Sequence, residues 1–147
     1  METNTVKEKV AAIISVAGKL IPSYVANPKD AFSEGNVAIC IIDADGNVYG
    51  RLYGSDKIKT RRTYQIAWTK ASQVWITGMK TVDFERKIFN GELNEKDFGI
   101  QPPDFIGWAG GQPVVLKDGT RLSIGFSGFR GESDLDIVIR AIAELGI

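Results

Sequence analysis

The chain has 147 residues, 44 % of them hydrophobic, which is enough for one domain, residues 1–147, with its own core; no linker-like composition shift divides it. Eighteen basic residues balance eighteen acidic ones, so charge gives no case for a nucleic-acid or membrane partner. Histidine is absent, which excludes Ser-His-Asp and Cys-His catalysis, the zinc motifs built on histidine, and haem held by a proximal histidine.

Val6, Val10, Ile13, Ile14, Ala17, Leu20 and Ile21 recur at steps of three and four, the spacing of an amphipathic helix closed at Pro22 or shortly after. The apolar run within it is too short to span a membrane, and no signal peptide is read before it. Asn27 to Asp30 reads as a turn. Val37 to Ile42 is a continuous apolar run rich in β-branched residues, the pattern of a buried strand. It holds Cys40, and a single cysteine allows no internal disulfide, which fits a reducing, cytoplasmic setting. Asp43 to Asn47 forms the hairpin turn and Val48 to Tyr53 the partner strand. Alternation puts Tyr49, Arg51 and Tyr53 on one face, which reads as a binding or subunit surface rather than a core.

A second helix is expected from about Thr60 to Thr77. Ile66, Ala67, Lys70, Ala71, Val74 and Trp75 share one broad face, with small alanines where close packing on a sheet wants them. Lys70 inside that face reads as a snorkelling lysine, with a site lysine that pairs with an anion or acts as a base as the alternative. The basic residues Arg51, Lys57, Lys59, Arg61 and Arg62 read as a solvated rim. If Arg51 turns inward beside Tyr64 or Lys70, it becomes an anchor for a ligand carboxylate. Gly78 breaks the helix, Val82 to Asn90 forms a shorter one ended by Gly91, and Phe105 to Trp108 is a candidate extra strand.

The stretch from Gly107 to Asp136 is the densest part of the chain. Asp118-Gly119 joins two apolar runs, Pro113 to Leu116 and Leu122 to Phe126, as a second hairpin. Gly125 leaves room for another backbone, a helix or a ligand. A hairpin brings its open ends together, so the Gly110-Gly111 loop and the Ser127-Gly128 loop must lie side by side. Ser133 and Asp136 read as a capping pair for a last helix starting near Asp134. Glycine turns beside a helix start can present N–H groups to an anion, although Glu132, Asp134 and Asp136 would repel one.

Two hairpins with helices before, between and after them give an α+β layered domain. The ordered set Ala67-x-x-Lys70-Ala71, Gly110-Gly111-x-Pro113, Gly125-x-Ser127-Gly128 and Asp134 resembles the GlcG/HbpS-like family, which includes the C-terminal domain of PduO-type proteins. The likeness runs from the first helix to the last. It implies a profilin-like fold, a homo-oligomer with a pocket near subunit contacts, and binding of haem or a related tetrapyrrole. The missing histidine departs from imidazole ligation of haem. Cys40, Tyr53, Tyr64, Thr69 and Met79 are other groups that can approach an iron, and spacing singles out none of them.

The leading reading is a small-molecule-binding protein whose site comprises Arg51, Tyr64, Trp68, Lys70, Gly110, Gly111, Pro113, Ser127 and Gly128. Trp68, Trp75, Trp108, Phe105, Phe126 and Phe129 supply flat apolar surface, whether as core or as ligand wall. Two other readings stand beside it. One is a metal-free enzyme using lysine, tyrosine or a carboxylate on an aromatic or carboxylate-bearing metabolite. The other is an oligomeric scaffold in which the glycines serve only close packing.

Overall fold

The computed structural model describes residues 5–147. The first helix, α1 (Val6–Val25), opens where the Thr5 hydroxyl accepts the N–H of Glu8, and it buries Val10, Ile13, Ala17, Leu20, Ile21 and Tyr24 along one side. It closes at Val25, three residues past Pro22, within the expected bound. Proline forfeits one helical donor, but the Ser23 hydroxyl donates to the Leu20 carbonyl and the Tyr24 ring stacks on Phe129 at 5.3 Å. Burial of that aromatic ring outweighs one missing hydrogen bond, so the helix runs another turn.

Four strands form one antiparallel sheet: β1 (Ala38–Asp43), β2 (Val48–Leu52), β3 (Gly111–Val115) and β4 (Arg121–Ser127), in the order β2-β1-β4-β3. Each Asp-Gly turn joins adjacent strands, and β1–β4 pairing welds the two hairpins together. β1 is buried throughout because both of its faces are covered. Ile39 and Ile41 point into a core shared with α1 and with α4 (Gly131–Leu145). Ala38, Cys40 and Ile42 point the other way, against Ala67 and Ala71 of α2 (Lys57–Thr77).

The register explains how closely α2 approaches. Gly50, Cys40, Gly125 and Gly111 face one another across all four strands, a row of small residues under the helix. A Cβ at Gly125 would strike the Ala67 carbonyl and come within 2.7 Å of the Ala71 nitrogen; one at Gly50 would strike the Tyr64 ring, and one at Gly111 would meet Val74 at 3.1 Å. Of this row, sequence alternation anticipates only Gly125.

Tyr53 corrects the expectation of an open second-strand face. It is buried in the α1–α4 core, its hydroxyl donates to the Ile14 carbonyl, and its ring continues a stack through Phe126 and Phe129 to Tyr24. The second helix starts three residues before the expected Thr60, because Asp56 caps it by accepting the N–H of Lys59. The Ser133–Asp136 capping pair does not form. Ser133 donates to Asp30 instead, and Asp136 accepts the Tyr24 hydroxyl. Phe105 to Trp108 is not a strand: the Gln73 amide from α2 takes both backbone groups of Ile106, at 2.9 and 2.8 Å, and supplies the pairing a neighbouring strand would give. A third helix, α3 (Thr81–Phe89), precedes that segment. No helix among the described residues is long and apolar enough to cross a membrane.

Candidate functional site

A cleft of about 410 Å³ opens where α2, the 107–110 loop, the 127–130 loop and Phe32 meet. Its walls are Phe32, Ile66, Trp108 and Phe129, its rim carries Lys59 and Arg62, and Lys70 and Asp134 line it with Ser127 and Gly128. The α2 contribution is a single stripe: Lys59, Arg62, Thr63, Ile66 and Lys70 recur at helical steps of three and four, so one side of the helix faces the cleft. The Trp108 wall is held in place by Gln73 on Ile106 and by the Thr81 hydroxyl, which donates to the Trp108 carbonyl at 2.6 Å.

The chemistry of the cleft lies in Lys70. Its side chain is 2 % exposed, so it does not snorkel. Nζ donates to the Phe126 carbonyl at 2.9 Å and to Asp134 Oδ2 at 3.3 Å, while Asp134 Oδ1 accepts the Phe129 N–H at 2.9 Å. Burial pushes the Asp134 carboxyl up to about 7, against the pull of the Lys70 charge and the Phe129 N–H. Burial likewise lowers the Lys70 ammonium, with Asp134 opposing. For both groups desolvation outweighs the attraction between them, as for a charge pair taken out of water. Gly110, at φ +126°, lets its loop close over this pair, and a Cβ there would lie 2.6 Å from Nζ.

The start of α4 does not offer an open anion nest. The Phe129 N–H is taken by Asp134, and the Arg130 N–H by Asp30 at 3.0 Å. Asp30 is fully buried and also receives the Arg130 guanidinium and the Ser133 hydroxyl. Burial pushes its carboxyl up, but these hydrogen bonds prevail and hold it below the usual range.

Of the sequence-derived site residues, the fold brings Lys70, Ser127 and Gly128 to the cleft, with Gly110 directly behind Lys70. Gly111 lies beneath α2, where the chain itself fills the room its missing side chain leaves. Arg51 lies over the Tyr53 ring at 5.2 Å, on the sheet face opposite α2. The Tyr64 hydroxyl reaches Cys40 Sγ at 3.7 Å, and Trp68 sits on the outer side of α2, 43 % exposed. Pro113 borders a separate, smaller cleft beside Trp75. Trp108 and Phe129, read from the sequence as flat apolar surface, line the cleft, and with them come Phe32, Lys59, Arg62, Thr63, Ile66, Ala109, Gly131 and Asp134, which the sequence reading did not place there. Those on α2 were within reach, since they fall on the Lys70 stripe.

A family model described as "Haem degrading protein HbpS-like" matches residues 13–143. Among solved structures, a double mutant of HbpS from Streptomyces reticuli is similar to this chain at 19 % identity and TM-score 0.61, covering 100 % of this chain and 90 % of that one. The complex of PduOC with haem matches at 17 % identity and TM-score 0.69, covering 97 % and 94 % of the two chains. The ORFY protein of Klebsiella pneumoniae matches at 16 % identity and TM-score 0.63, covering 90 % and 86 %. No curated protein matches the sequence.

Proposed function

The chain belongs to the HbpS-like family, and from that premise we propose that it binds a flat, largely apolar, acid-bearing small molecule of the tetrapyrrole class in the cleft over Lys70. The observation that carries the reading is the composition of the cleft: aromatic and aliphatic walls with the cations Arg62, Lys59 and Lys70 at rim and floor. Flat apolar walls take a ring, and a few fixed cations take its carboxylates. Arg62 forms no ion pair among the described residues, so its guanidinium is available at the rim. Lys59 is committed to the Phe32 and Ser33 carbonyls and fixes the Phe32 wall.

The iron of a haem is a separate matter. No Cys, Met or Tyr lines the cleft, the chain has no His, and both lining amines are already hydrogen-bonded. The Thr63 hydroxyl is turned to the Lys59 carbonyl at 2.6 Å, and Asp134 is held by Lys70 and the Phe129 N–H. Among the described residues no group of His, Cys, Asp and Glu is placed to hold a metal. The donor set therefore fits the ring and its acids but not an axial iron ligand. Recognition in this reading is of the macrocycle.

The chain is further expected to self-associate. The edge strand β2 exposes Val48 and Leu52 on the side where α2 exposes Trp68 and Trp75, an apolar surface of the kind that second copies cover. Native mass spectrometry reads that state directly.

The binding reading is tested by titrating the protein with protoporphyrin IX and following tryptophan emission. Saturable quenching is expected, lost in Ile66→Trp, which fills the cleft, and retained in Phe89→Ala, which alters an exposed residue of α3 away from it. Equal binding by both variants would move the ligand elsewhere.

A further inference from the structure

We propose that Lys70 and Asp134 form an acid-recognition subsite in the cleft, in which a ligand carboxylate takes Lys70 over from Asp134 and Asp134 takes up one proton. This rests on the proposed ligand-binding role of the cleft and specifies how its floor reads the ligand. The ammonium has three donors. Two are engaged, by the Phe126 carbonyl and Asp134 Oδ2, and the side chain lines the cleft, so the third is the one an incoming acid can meet. Two carboxylates beside one ammonium in apolar surroundings cannot both stay ionised, because the second charge is repelled and poorly solvated.

Asp134 is the one that yields. Its carboxyl already titrates near neutrality, and its protonated form keeps the Phe129 N–H on Oδ1 while gaining an O–H to donate to the ligand acid. The neighbouring charges favour the same outcome. From α2, Lys59 and Arg62 face the cleft and hold the ligand acid ionised. Asp30, beside the start of α4, adds a small upward push to Asp134, and Arg130 is paired with both Asp30 and Glu132. No titratable side chain of the 107–110 loop lines the cleft.

The proton count is measurable with the intact protein. Isothermal titration at pH 8 in phosphate and in Tris, two buffers of different ionisation heat, gives the protons taken up when protoporphyrin IX or its dimethyl ester binds. The diacid is expected to take up about one proton more than the ester, and its affinity to fall by up to roughly tenfold per pH unit above pH 7 while that of the ester stays flat. The neutral pair Lys70→Gln with Asp134→Asn is expected to lose the additional proton, so that diacid and ester bind to it with equal proton counts. Binding of both ligands to the wild-type protein with equal proton counts would overturn the subsite and leave the cleft reading standing. An additional proton that survives in the double variant would also overturn it, since it would belong to the ligand or another group. Absence of any binding would overturn both readings together.

Discussion

Replacing Lys70 with methionine keeps the stem's packing and removes the charge, so the variant isolates the buried pair. Left alone, ionised Asp134 has one N–H partner and no counter-charge at 3 % exposure. Breaking a buried pair in this way costs about 3–5 kcal/mol. The rise of Asp134 from 3.8 to about 7 in the intact protein already corresponds to an ionisation penalty on the order of 4 kcal/mol. The sign follows from linkage: a carboxyl raised in the folded state contributes its stability below its unfolded value and loses it as pH climbs through the folded value. Without Lys70 the folded value rises further. At pH 5, where Asp134 is protonated in the folded state with or without Lys70, the variant is expected within about 1 kcal/mol of wild type, the net worth of the lost bond to Phe126. At pH 8.5 Asp134 is ionised in wild type and still protonated in the variant, which adds about 1.4 kcal/mol per pH unit above 7, or about 2 kcal/mol, and Tm is expected to fall on the order of 10 °C for a chain of this size. Urea and thermal denaturation at both pH values, with Lys70→Met/Asp134→Asn as the rescue, read this out. A deficit equal at the two pH values, or larger at pH 5, would refute the buried pair.

Three further outcomes follow from the packing. Gly125→Ala places a methyl against backbone atoms of Ala67 and Ala71, so α2 must lift, at about 3 kcal/mol, the upper end for overpacking; a lower urea midpoint with unchanged m-value checks it. Asp30→Asn removes a carboxylate held below its usual range by Arg130 and Ser133, so its deficit is expected to be largest at neutral pH and to shrink as pH falls through the folded-state value of wild type, the reverse of the Lys70 variant. Gln73→Ala orphans the backbone of Ile106, costing about 1–3 kcal/mol; faster limited proteolysis near residues 105–108 and weaker porphyrin binding are the readouts.

Both hairpins, the three covering helices and the layered architecture were legible because each depends on local signals: Asp-Gly turns, strand alternation and helical spacing. The first helix was expected to close at Pro22 or shortly after and ends at Val25, but what carries it those last residues, the Tyr24 ring on Phe129, joins positions more than a hundred apart and left no local sign. The segment at Ile106 failed for a similar reason, since a side-chain amide stands in for a strand and leaves no periodic trace. Lys70 and the Ser127-Gly128 loop, named from residue type and hairpin geometry, do line the candidate cleft. Arg51 was a carboxylate anchor only if it turned inward beside Tyr64 or Lys70, but β2 pairing sends it to the face away from α2, and Tyr64 is spent covering Gly50. Asp134 read as a helix-start acid because nothing in a single sequence says that α2 will deliver an ammonium to it.

The central claim is that the cleft recognises the ring and acids of its ligand and not a metal. Matched absorption titrations with haem and with metal-free protoporphyrin IX test this most directly. Affinities within about threefold of each other are expected and, for haem, no band shift characteristic of a strong axial nitrogen or sulfur ligand. Haem binding tenfold or more tighter than the free porphyrin, with such a shift, would contradict it.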